Sequence, residues 1–215
     1  MWPSSDYGYF ERRYTTENAE IFRMVRAEGI TGLAIVAGDK HSFWAGYPSE
    51  NLPPHPFEPA GVEFIGGSVS QAGIAEVWEL TLPKQNNPTR PFFMHDRPDG
   101  SMLCSFTTTL LHGVRSAIAL RDTDDPARAR AASNPDVAPH LKFVDWAGHG
   151  YVTVCATPHE LETEFVCIQR PLERATTEDG GPLRYRAVHR VPLWAAGERP
   201  HMQTEVTEGD AGLSI

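Results

Sequence analysis

Gly32-Leu33-Ala34-Ile35-Val36-Ala37-Gly38-Asp39-Lys40-His41 is an apolar run too compact for a helix, closed by a glycine and followed by an acid and an imidazole two residues apart. It reads as a buried strand of an open α/β sheet. Metals and ligands gather at the carboxyl ends of such strands, where a rigid element hands over to a turning loop. Asp39 and His41 fall there as candidate metal ligands, and a carboxylate oxygen with an imidazole nitrogen suits a hard or borderline divalent or trivalent ion. Gly38 is expected to allow a sharp turn or a close approach to the ion. The competing reading is that Asp39 merely forms a turn or caps a helix, since a lone Gly-Asp-x-His pattern arises often by chance.

Upstream, Thr16 reads as an N-cap and the spacing predicts a helix over about 17–28, with Glu17 and Glu20 early, Arg23 and Arg26 late, and Gly29 just past the end. Ile21, Phe22, Met24 and Val25 supply its apolar face, and the helix feeds a sheet covered on both sides. Before it, Tyr7, Tyr9, Phe10 and Tyr14 follow no clear period. Downstream come Trp44 and Tyr47, which either wall a pocket or pack the loop, then a proline-rich loop over 48–59. A second strand is expected within 61–70, with Ser68 and Ser70 contacting substrate or satisfying turn backbone. Residues 71–100 look irregular, a helix is expected over about 103–120, and 121–138 reads as a surface loop with a turn of helix.

From residue 141 the pattern changes to alternation, at 141–145, 150–155, 162–168 and 184–192, which predicts consecutive antiparallel strands with one wet face. Thr157-Pro158-His159-Glu160 predicts a single helical turn between two of them, and the acidic tail after Pro200 a short strand. His149, between two glycines, either reaches a site or sits in a surface turn; His189 reads as exposed, and His95 and His112 as lacking partners.

With 28 acids against 19 bases, the formal charge of -9 argues against nucleic acid or an anionic membrane as the main partner. An anionic substrate is compatible with it, because a bound metal reverses the local field. Cys104, Cys155 and Cys167 are too few for a disulfide framework or a thiolate zinc site; the last two either face each other across a hairpin or stay as reduced thiols. No apolar run approaches a membrane span, and the first residues lack a basic or apolar export region, so the chain reads as soluble.

Three blocks together carry a more specific likeness: Ile35 to Trp44, Val62 to Ser70, and His140 to Asp145 with His149-Gly150-Tyr151-Val152 and Leu161 to Val166. In their order they resemble the alkaline phosphatase D family of metallophosphoesterases, over about Tyr7 to Trp194. The resemblance implies a calcineurin-like two-sheet α/β sandwich and metal-dependent hydrolysis of phosphate monoesters or diesters. It implies a centre of two or more metals, calcium and iron among them, with Asp39 and His41 matching the family's last pair of ligands. It also implies that the chain, with a part at 1–140 carrying long loops and antiparallel strands with a tail at 141–215, is the C-terminal half of that domain, since nothing before residue 38 matches the family's upstream ligand motifs. Relatives are exported, which implies a periplasmic or extracellular location, although this chain carries no signal. The alternative is a noncatalytic half-domain that pairs with the missing half or with a second copy.

Overall fold

Two four-stranded sheets pack face to face in the computed structural model, which describes residues 11–52, 55–97, 102–171, 173–176, 178 and 180–215. The aromatic cluster at Tyr7, Tyr9 and Phe10 lies outside the described residues. The chain opens with helix α1 (Glu11–Ala27), six residues earlier than the charge pattern predicts, so Thr16 is inside it rather than at its start. Its end follows expectation. Gly29 takes φ +63°, Ile30 N–H donates to the Val25 carbonyl at 2.9 Å and Gly29 N–H to that of Arg26 at 3.2 Å, a glycine-closed Schellman cap. Of the four apolar residues assigned to its face, Phe22 and Val25 are buried, whereas Ile21 and Met24 point to solvent because the helix inserts only a narrow stripe.

The first sheet contains β1 (Ala34–Ala37), β2 (Phe43–Gly46), β3 (Val62–Ile65) and β6 (Leu141–Asp145), in the order β1-β3-β2-β6. β1 and β3 run parallel, β2 opposes both β3 and β6, and therefore β1, β3 and β6 all end at one edge. Here the sequence reading needs correction. β1 is not a strand buried on both faces but an edge strand, with Val36 55% exposed. The interior positions belong to β3 and β2, and β2, whose four residues are all buried, offers no alternation by which to find it. The next stretch is not irregular either: it holds α2 (Ile74–Thr81), a 3-10 turn at Arg90–Phe92 and β4 (His95–Asp96), which pairs with β5 (Met102–Leu103). The expected helix over 103–120 is two helices, α3 (Phe106–His112) and α4 (Val114–Thr123), broken at Gly113 with φ +86°. The short α5 (Pro126–Ala131) starts on Asp125, whose carboxylate accepts from the N–H groups of Ala127 and Arg128.

The second sheet is an antiparallel meander of β7 (His149–Ala156), β8 (Glu160–Ile168), β9 (Leu183–Pro192) and β10 (Gln203–Gly209). The strand at 141–145 is thus not its first member; it belongs to the other sheet. Residues 157–160 form a tight hairpin rather than a helical turn, because Ala156 already pairs with Leu161 and the Thr157 hydroxyl accepts from His159 and Glu160 N–H. All three cysteines are free: Cys155 sits opposite Glu162 and Cys167 opposite Gly150, so the two do not face each other. Arg186 pairs with Glu164 and Glu208, and Arg190 with Glu162 and Glu205, covering the wet face of this sheet. Among the described residues no helix is long and apolar enough to cross a membrane.

Phe43, Phe64 and Phe143 from the first sheet meet Phe165, Tyr185 and Ala187 from the second in the central core. Trp44, Ile65, Val144 and Trp146 cover the first sheet's other face, against α2 and α3. Trp44 and Tyr47 are therefore packing residues; the Tyr47 hydroxyl accepts from Met202 N–H at 2.8 Å.

His189, read as exposed, is fully buried, with its ring 4.5 Å from that of Phe165 and Nδ1 2.9 Å from the Thr204 hydroxyl. Burial pushes its pKa down to about 3, against about 6.5 in an unfolded chain. The ring is neutral when folded, so the unfolded state gains the proton first and stability falls as pH drops below about 6.5. Between pH 7.5 and pH 5 this group alone is expected to remove about 2 kcal/mol. Urea unfolding across that range should show this slope, and His189→Gln should flatten it; an unchanged slope in the variant would refute the assignment.

Candidate functional site

Loops 38–42 and 66–73 and the turn 146–148 emerge at the shared edge where β1, β3 and β6 end. The Gly66 N–H donates to the Ala37 carbonyl at 2.8 Å, extending the β1–β3 ladder into the loops, and Gly150 N–H donates to the Ser68 carbonyl at 2.9 Å, tying in the second sheet. The architecture therefore delivers Asp39, His41, Ser68 and His149 to one place.

His41 is the strained residue, at φ +50°; Gly38 lies outside the left-handed region but starts the turn, its carbonyl accepting from His41 N–H at 3.3 Å. A left-handed imidazole-bearing residue is uncommon and costs about 1 kcal/mol or more, which a surrounding structure has to hold. The hold is visible: Nδ1 lies 3.1 Å from the Ala72 carbonyl. A carbonyl only accepts, so Nδ1 is the donor, and in the tautomer that this bond selects the lone pair is on Nε2. That is how a backbone carbonyl sets a metal-ligating histidine. Asp39 is exposed and has no hydrogen-bond or ion-pair partner among the described residues. Lys40 between them turns the other way, its ammonium 5.8 Å from the Trp146 ring centre.

Behind the loop stands a second group that the sequence did not expose. Glu76, in the first turn of α2, accepts from His149 Nε2 at 2.7 Å and pairs with Arg170 at 3.2 Å through the same oxygen, Oε1. Burial pushes the Glu76 carboxyl up, but the His149 hydrogen bond and charge and the Arg170 charge outweigh it and hold the group below its usual range. His149 Nδ1 in turn faces the Ser68 carbonyl at 3.2 Å. Both ring nitrogens thus face acceptors inside the protein, so neither is turned toward a metal at the loop. It is buried and not in a surface turn. Ser68 keeps the blander of its two roles, with its hydroxyl donating to the Gln71 carbonyl at 2.7 Å, and Ser70 is exposed.

Gly73 lets these parts close together. A Cβ there would lie 2.7 Å from Glu76 Oε2 and 3.2 Å from the His41 carbonyl oxygen. Glu76 Oε2 is buried without a partner, so this carboxylate is only half satisfied.

No group of three or more His, Cys, Asp or Glu side chains able to hold a metal exists among the described residues. Asp39 and His41 fit a metal as a pair of donors, one carboxylate and one correctly protonated imidazole, but not as a full coordination set.

A family model described as PhoD-like phosphatase matches residues 2–165. A solved structure titled "Structure of PhoD" is similar at 15% identity and a TM-score of 0.45, over 90% of this chain and 26% of that chain. The chain thus spans about a quarter of the length of that relative. No curated protein matches.

Proposed function

We infer function from kinship: this chain belongs to the PhoD-like phosphatase family, and we read its Asp39–His41 loop as one part of the metal site of an enzyme that hydrolyses phosphate monoesters or diesters. The observation that carries the reading is the Nδ1–H bond from His41 to the Ala72 carbonyl, which leaves Nε2 free to ligate. Asp39 and His41 would hold the ion; the carboxylate oxygen suits calcium or iron and the imidazole nitrogen suits iron. A bound metal supplies charge for the phosphate oxygens and a nucleophile at neutral pH. The chain's own residues do the rest by placement. Ala72 fixes the His41 ring, Glu76 and His149 lock the loop that carries Ala72, and Arg170, whose side chain is 47% exposed, puts a guanidinium near the same edge for an anionic group.

A second reading, a noncatalytic half-domain that pairs with another chain, is favoured by a different observation: β1 leaves an apolar edge open, with Val36 exposed.

Metal analysis by mass spectrometry on the purified chain separates the two. The enzyme reading expects bound calcium or iron that falls on the order of 10-fold or more in Asp39→Asn and in His41→Ala, by the size of effect typical when metal-site residues change. Hydrolysis of p-nitrophenyl phosphate should fall with it. Metal that persists in both variants would remove the site from this loop; no metal in any form would leave the half-domain reading.

A further inference from the structure

At the carboxyl end of β6, on the side away from β1, a cavity of about 360 Å³ opens between α3, α4 and the C-terminal segment at 210–214. Among the described residues Arg97, Arg184, Asp145 and Asp210 are the charged groups that line it. Asp145 is 6% exposed and held in place, its Oδ2 accepting from the Tyr185 hydroxyl at 2.9 Å and its Oδ1 from Ala147 N–H at 3.1 Å. Asp210 accepts from Gly212 N–H at 2.7 Å. Arg184 is exposed and its side chain makes no hydrogen bond or ion pair to any acceptor among the described residues, although the Asp145 charge above all, and Asp210 more weakly, raise its pKa. Arg97 spends only Nε, on Asp124 at 3.0 Å.

Opposite charges that line one cavity commonly meet in a direct, often bidentate, pair. Here Arg184 and the two carboxylates line the same cavity without one among the described residues. What closes such a gap is a molecule bearing both signs, an acid for the free guanidinium donors and an amine for the remaining carboxylate lone pairs. Leu103 and Leu120 offer apolar wall to the carbon chain between them. We propose that this cavity binds a small zwitterion, an amine joined by a short chain to a carboxylate or phosphoryl group, with the acid on Arg184 and the amine on Asp145 and Asp210. The proposal does not rest on Asp39, His41 or the hydrolase reading.

Isothermal titration calorimetry on the full chain tests it with four probes: γ-aminobutyrate and O-phosphoethanolamine, each with both signs, and ethanolamine and inorganic phosphate, each with one. At least one zwitterion is expected to bind 10-fold or more tighter than either single-sign probe, and the preferred one reports whether the acid is a carboxylate or a phosphoryl. Arg184→Met should weaken that binding at least 10-fold and Asp210→Asn should weaken it too, whereas His41→Ala should leave it unchanged. Inorganic phosphate binding as tightly as O-phosphoethanolamine, binding of no zwitterion, or binding that survives Arg184→Met would each overturn the proposal. Loss in His41→Ala alone would place the binding at the metal loop instead.

Discussion

Phe165→Ala is expected to cost about 3–5 kcal/mol of folding stability. The Phe165 ring, on β8, is fully buried and lies 5.1 Å from that of Phe43, 6.3 Å from Phe64, 5.5 Å from Phe143 and 4.5 Å from His189. It is the one second-sheet ring that touches an aromatic residue on each of β2, β3 and β6. Removing it takes away both its transfer from water and the edge contacts, and the four rings around it cannot collapse onto the void without moving two sheets. Total stability of a domain is only about 5–15 kcal/mol, so the loss is a large fraction. Urea unfolding should report it directly, with the thermal midpoint down by roughly 6–20 °C for a chain of this size. Ile21→Ala, on the exposed side of α1, is the control and should stay within about 0.5 kcal/mol. A loss below about 1 kcal/mol for Phe165→Ala would mean that the two sheets are not clamped there.

The same ring shows what the sequence could reveal. Phe165 was legible because β8 and β9 alternate apolar with charged residues, and that period-two signal names both the strands and their inward residues. The helix end at Gly29 was legible for an equally local reason, since a cap is written in adjacent residues. What local pattern cannot carry is neighbourhood. β1 and β2 are both short apolar runs, yet one lies at an open edge and the other in the sheet interior, and only the order β1-β3-β2-β6 tells them apart. Membership of β6 in the first sheet has the same cause, because its register with β2 is set by residues about a hundred positions away. At the site, Asp39 and His41 were visible as two chemical groups beside a strand end. The carbonyl that accepts from His41 Nδ1 comes from residue 72, and the partner of His149 from residue 76. Neither separation leaves a trace in composition or spacing. A signal for Glu76 did exist, in Ile74, Ala75, Val77 and Trp78 following Gly73, which carry a helix of two turns.

Glu76→Ala should be the most damaging single change near the site, and its cost should depend on pH. In the folded chain the Glu76 carboxylate meets the buried His149 ring, whose other nitrogen faces the Ser68 carbonyl, and the Arg170 guanidinium. Deleting one member of a buried hydrogen-bonded pair strands the other, at about 1–3 kcal/mol. The pH dependence comes from Glu76: its carboxyl is held below the usual range when folded, so its contribution is full above about pH 4.3 and lost as pH falls further. Stability measured by urea should therefore show a wider gap between wild type and variant at about pH 6 than at about pH 3.5. Replacing both partners, as Glu76→Leu with His149→Phe, removes the stranded polar group and should recover much of the loss. A gap that is the same at both pH values, or a double variant no better than the single one, would show that the Glu76–His149 pair does not hold this edge together. The outcome also bears on His41, since Ala72 sits four residues before Glu76 on the same loop and helix start. If the pair anchors that loop, Glu76→Ala should weaken metal binding about 10-fold or more without removing a ligand, the behaviour of a group that orients rather than ligates.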